Sequence, residues 1–149
     1  MKTNEVIVAV RNILDSEHCP NKYNEQYQSL LVDAPFTINE HFYITIGFEE
    51  DGFLVSAVLR ERANEKCIDE LKKYLFMASS GLSRGCFDIT EKGSIYFRCW
   101  VGTSWLENLP KMAVLESIAY VHINFKKREQ GIDAIITGVS DAETEIKKA

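Results

Sequence analysis

The sequence predicts an α+β fold, an antiparallel sheet of about five strands with flanking helices in the order α-βββ-α-ββ-α. Three observations lead there. Apolar residues recur at three-and-four spacing in three separate segments, the mark of a helix with one buried face. Between them, period-two alternation marks extended runs. Those runs are joined by short Gly-containing turns of hairpin type, whereas parallel strands require long crossovers. At 149 residues the chain has the length of one domain, read as residues 1–149 with a short polar tail helix from about 140. That length buries roughly two-thirds of the unfolded surface without disulfide or metal staples.

From residue 4 to about 17, Val6, Ile7, Val10, Ile13 and Leu14 form the apolar face of a first helix. Pro20 and the polar stretch 21–26 stop it, because proline lacks an amide donor and disfavours a helical residue before it. A short strand over 27–33 follows, with Leu30 and Val32 on one face. Over 41–50, Phe42, Ile44, Ile46 and Phe48 alternate with Tyr43, Thr45, Gly47 and Glu49, which predicts a half-buried strand. Asp51-Gly52 tolerates positive φ and predicts a two-residue turn, with Phe48, Ile46 and Ile44 opposite Val55, Ala57 and Leu59. A second helix starts near Glu65, with Asn64 as its cap and Ile68, Leu71, Leu75, Ala78 and Leu82 as its core stripe. It ends near Gly81 and Gly85, residues able to adopt a left-handed cap.

The second hairpin offers two registers. A two-residue loop at Lys92-Gly93 sets Cys86 opposite Cys99 but puts Phe87 and Ile89 on the opposite face from Ile95 and Phe97. A three-residue loop, Glu91-Lys92-Gly93, with Gly93 as the left-handed bulge residue, pairs Ile89 with Ile95 and Phe87 with Phe97. The second register buries the apolar set together, and it turns Cys86 and Cys99 to opposite faces. Pro110 then opens a long helix. It carries two apolar stripes, one through Leu109, Met112, Ala113, Ala119, Tyr120 and Ile123, the other through Val114, Ile118, Val121 and Phe125. Past Gly131 a break and a continuation to Gly138 are both open, after which residues 140–143 read as a capping box for the tail helix.

Acidic residues outnumber basic ones, 22 to 17, for a formal net charge of -5, so the average field opposes nucleic acid. The one basic run, Lys126-Lys127-Arg128, reads as a solvated stretch of helix. Four cysteines, Cys19, Cys67, Cys86 and Cys99, lie far apart without metal-ligand spacing, which suits reduced thiols in a cytoplasmic protein. No leader pattern and no long apolar window is present, so neither export nor a membrane partner is expected.

No catalytic motif, cofactor motif or metal-ligand spacing is found, and none of these chemistries is predicted. Residues 81–85, Gly-Leu-Ser-Arg-Gly, mimic a nucleophile or phosphate loop but lie between a helix and a following strand, the reverse of the required order. His18, His41 and His122 are separated and share no helix face with another histidine or a cysteine. Asp88 and Arg98 share the polar face of the second hairpin and predict a cross-strand ion pair. Trp100 and Trp105 either pack the strand-to-helix connection or wall a ligand pocket. The informative surplus is apolar: Phe76 and Met77 project away from the second helix's core stripe, and Ile118, Val121 and Phe125 form a second stripe on the long helix. Another helix of the chain or a second subunit must cover them, making these five the candidate partner or dimer surface.

Residues 78–89, Ala-Ser-Ser-Gly-Leu-Ser-Arg-Gly-Cys-Phe-Asp-Ile, with 93–98, Gly-Ser-Ile-Tyr-Phe-Arg, resemble the helix end, Gly-x-Phe strand and Gly-bounded turn of the YbjN family, proposed regulators of bacterial sensory transduction. Residues 134–143 are similar to the family's ending. The family often has Asn where this chain has Ser79. The element order is also that of type III secretion chaperone-like domains. The resemblance implies a homodimer-prone α+β domain that binds extended polypeptide and has no catalytic residues. The function expected is therefore a non-enzymatic protein-binding module, chaperone-like or regulatory, with itself and an unidentified protein or peptide as partners. The alternative is a small-molecule sensor or enzyme with a pocket near Trp100 and Trp105.

Overall fold

The computed structural model describes residues 1–33 and 40–148. Helix α1 (Thr3–Ser16) leads into the strands β1 (Asn21–Asn24), β2 (Ser29–Val32), β3 (Phe42–Glu49) and β4 (Gly52–Arg62). Helix α2 (Ile68–Ser79) precedes β5 (Cys86–Ile89) and β6 (Ser94–Gly102). A short helix α3 (Thr103–Asn108), a π-helical turn (Met112–Glu116), the long α4 (Ser117–Ile136) and α5 (Ala142–Ile146) complete the chain. All strand pairs are antiparallel, in the order β1-β2-β3-β4-β6-β5.

The predicted alternation sets the layers. Phe42, Ile44, Ile46 and Phe48 of β3, Phe53, Val55, Ala57 and Leu59 of β4, and Ile95, Phe97, Cys99 and Val101 of β6 are all buried. Against them lie Val6, Val10 and Leu14 of α1, Leu71, Leu75 and Ala78 of α2, and Val121, Phe125, Ile132 and Ile135 of α4. Each Val, Leu, Ile or Phe side chain among them contributes about 1.5–3 kcal/mol by leaving water. The residues between them in the strands point to the other side of the sheet and are partly or fully exposed. The described helices thus cover one face and leave the other open.

The sixth strand is β1, in the stretch that the sequence suggests is a polar connection. Nothing in Asn-Lys-Tyr-Asn alternates in hydropathy, because β1 is an edge strand held by polar contacts. Asn21 accepts from Arg11 Nε (3.3 Å) and donates to Asp15 (2.9 Å), and the Arg11 guanidinium lies 5.9 Å from the Tyr23 ring.

The two central hairpins differ in how well their registers are predicted. In the second, Phe87 pairs with Phe97 and Ile89 with Ile95, and Gly93 has φ +85°, as the three-residue loop requires. In the first, Phe48 faces Phe53, Ile46 faces Val55 and Ile44 faces Ala57, two residues away from the expected pairing. Glu50 and Asp51 make the turn, with Asp51 at φ +66°, and Gly52 is recruited into β4. The reason is non-local: a Cβ on Gly52 would run into the Val101 carbonyl oxygen and the Trp100 indole. A shift of two leaves every side chain on its predicted face.

Helix α2 begins at Ile68, three residues later than expected, and Asn64 Oδ1 instead accepts from the Lys66 N–H (3.0 Å) in the turn before it. The long helix runs through Gly131 to Ile136. Helix α5 is capped by Asp141, which accepts from the Thr144 N–H at 2.8 Å, and Glu70 accepts from the Ala142 N–H at 2.8 Å to tie it to α2.

Candidate functional site

The five residues expected to form a partner surface separate into two groups. Phe76 is 76% exposed and Met77 is half-buried against the core edge. Ile118, Val121 and Phe125 are 2%, 0% and 0% exposed within the single chain, so they are core and not surface. Phe125 stacks on Phe42 with centroids 4.7 Å apart and reaches Phe87 at 6.3 Å. Of the two stripes on the long helix, the sheet covers the one that continues through Ile132 and Ile135. Of the other stripe, Ala113 is buried and Tyr120 packs on Phe97, while Leu109 at 51%, Met112 at 48% and Ile123 at 63% stay exposed. The apolar surplus on this element is real but lies on the opposite side from the one expected.

The two tryptophans do not share a wall. Trp100 is on the open face of the sheet, 45% exposed. Trp105 sits on α3, on the helical side, where Arg84 is held between it (4.9 Å) and the ring of Tyr120 (5.0 Å). Arg84 donates through Nε to Cys99 Sγ (3.2 Å) and through a terminal nitrogen to the buried Ser117 hydroxyl (3.3 Å). The Tyr120 hydroxyl returns a bond to the Arg84 carbonyl at 2.7 Å. Burial pushes the Cys99 thiol pKa up, and Arg84 only partly offsets this, so the sulfur is a packed, protonated acceptor and not a thiolate nucleophile. Cys86 is exposed on the open face, separated from Cys99 by the sheet as the chosen register predicts.

Residues 81–85 connect helix to strand, in the order that sequence reasoning assigned to them. The end of α2 also explains the Ser79 position. Its Oγ accepts the outward-facing Phe87 N–H of the edge strand β5 (2.8 Å), lies 3.5 Å from the Phe87 carbonyl oxygen, and donates to Leu75 (2.8 Å). Asp88 accepts the next outward N–H, that of Ile89, at 2.7 Å. The predicted ion pair between Asp88 and Arg98 is replaced by this bond and by Arg98 lying 4.8 Å over the Tyr96 ring.

One grouping was not visible in the sequence. At the end of α4 next to β3 and β4, His41, Glu61, Glu129 and Asp133 line a cleft of about 290 Å³. Nearby, Lys126 bonds Glu40 at 2.6 Å and lies 3.9 Å from Glu129, and Glu40 raises the lysine's pKa. His122 stacks on Phe42 at 5.4 Å, with its Nε2 4.0 Å from Glu40. Among the described residues no three His, Cys, Asp or Glu side chains converge in a way that could hold a metal ion. Nor is any described helix long and apolar enough to cross a membrane.

No protein-family model matches the chain, and no curated protein matches it. Among solved structures it is similar to YbjN of E. coli, a proposed transcription regulator, with a TM-score of 0.61 over 82% of this chain and 89% of that one. At 13% identity the likeness is one of fold, and the chain has the YbjN-like fold that its sequence resembles.

Proposed function

We propose that this chain is a non-enzymatic protein-binding module, chaperone-like or regulatory, that acts as a homodimer in the cytoplasm. The observation that supports it is the apolar surface left on the helical layer. Phe76 on α2, Leu109 at the end of α3, Met112 in the π-helical turn and Ile123 on α4 are 48–76% exposed, where a monomer places polar residues. A twofold axis presents each patch to itself, so a handful of such side chains forms an isologous interface. Met77, next to Phe76 in the chain, packs against the core, and Ile118, Val121 and Phe125 belong to the core itself.

Light scattering on the purified chain tests the reading. The expected mass is that of two copies at micromolar concentration, and Phe76→Glu combined with Ile123→Glu should reduce it to one copy with the fold retained. A wild-type chain that stays monomeric at every concentration overturns the dimer. A small-molecule sensor is favoured by one observation only, the cleft beside His41, Glu61, Glu129 and Asp133. Its volume falls at the lower limit of ligand pockets. A thermal-shift screen with small diamines that leaves Tm unmoved removes it.

A further inference from the structure

The open face of the sheet has a composition that the helical layer lacks. In the middle row across the strands lie Arg98, Ser56, Thr45, Leu31 and Lys22, in register from β6 to β1. On one side of this row stand Trp100 and Leu54, and on the other Tyr96, Val58 and Tyr43. Ser56 and Thr45 in that row are small beside the larger Trp100, Leu54, Tyr96, Val58 and Tyr43. At the β1 end this row runs into a cleft of about 500 Å³ lined in part by Lys22, Tyr23, Glu25, Leu31 and Thr45. Gly47, opposite Leu54, leaves further open space: nothing lies within 4 Å of where its Cβ would be.

Charge says what fits there. The chain as a whole has net charge -5, yet this face carries Lys22, Arg60, Arg62 and Arg98 against Glu49 and Asp88, with Glu25 at the rim of the β1-end cleft. Among the described residues none of these four cations makes an ion pair, whereas Lys73, Lys111, Lys126 and Lys148 on the helical elements all do. Arg60 and Arg98 instead lie over Tyr43 (5.3 Å) and Tyr96 (4.8 Å), which presents flat guanidinium edges still able to bind carboxylates bidentately.

We propose that this open face binds an acidic, extended polypeptide segment. Apolar side chains of the segment would rest on Trp100, Leu54 and Val58, and its carboxylates would meet Arg98, Arg60 and Lys22. The inference rests on the protein-binding reading and adds the chemistry of the partner. A second copy does not suit this face, because twofold pairing would set its cations against each other. Nucleic acid suits it less well, because the rest of the chain repels phosphate and the two tyrosine rings are already covered by arginine.

Fluorescence anisotropy of a labelled peptide of alternating Glu and Leu tests the inference on the full chain, beside a Lys-Leu peptide and an oligothymidylate. The acidic peptide should bind, more weakly as salt rises, and the basic peptide should not. Arg98→Ala, which removes one screened charge contact, and Gly47→Glu, which sets a like charge beside the segment, should each weaken binding about fivefold. Both are expected to leave the melting temperature and the light-scattering mass unchanged. No binding of the acidic peptide, or binding by both variants as tight as that of the unsubstituted chain, overturns the inference. Oligothymidylate binding as tight or tighter assigns the face to nucleic acid and also overturns it. A monomer that still binds the peptide sinks only the homodimer. A dimer that does not bind it sinks only the assignment of this face.

Discussion

Along β4, Phe53, Val55, Ala57 and Leu59 enter the core while Leu54, Ser56, Val58 and Arg60 face out, so one strand serves two surfaces of different chemistry. On the helical side of the sheet apolar packing is dense and Lys73, Lys111, Lys126 and Lys148 each meet a carboxylate. On the open side apolar groups are only half covered and the cations have aromatic rings for neighbours. The first arrangement spends its interactions within the chain. The second leaves them available to something outside it.

Substitutions on the two sides should therefore separate stability from binding. The largest stability effect is expected from Phe125→Ala, which removes a fully buried ring in contact with Phe42 and Phe87. Urea unfolding should show a loss of about 3–5 kcal/mol, and a loss below 1 kcal/mol would mean that the helix is not packed on the sheet as described. A smaller loss, about 1 kcal/mol, is expected for Ser79→Ala, which strips the partner from the Phe87 N–H. Ser79→Asn, with an amide at the same place, should recover part of it, and equal loss in both variants would contradict the edge-capping role.

The smallest effect is electrostatic. The Lys111 ammonium beside Glu17 lowers that carboxyl's pKa, and Lys148 with Ser140 does the same for Glu145. A depressed folded-state pKa adds stability above the unfolded carboxylate range, and that stability is lost as pH falls through the folded value. Acidification below about pH 4 should thus lower Tm slightly by loosening the helical side. A Tm that rises on acidification would reverse the sign and refute the pairing.

How much of this was legible in the sequence depends on whether a feature is local. The hairpin around Gly93 was readable because the choice of register rests on side chains close in sequence, Phe87 with Phe97 and Ile89 with Ile95. The hairpin around Gly52 was misread by two residues because its glycine serves Trp100 and Val101, strangers in sequence. Strand β1 was hidden because an edge strand held by Arg11 and Asp15 needs no hydropathy pattern. The long helix offered two stripes of similar strength. Only the sheet decides between them, and it selects the one extended by Ile132 and Ile135. The cations of the open face were individually visible, but their excess on one surface appears only when strand parity sorts them from the acidic residues.

The closure of β5 by Ser79 and Asp88 also bears on how chains could accumulate. Fibril-like growth by strand addition needs each molecule to offer two free edges, one to receive and one to extend. Here the backbone at the β5 end already has partners within its own chain, and the opposite end is a four-residue strand of Asn, Lys, Tyr and Asn. A molecule with one usable edge can cross-pair once and then has nothing left to pass on. Strand pairing through the described edges is therefore expected to stop at two copies.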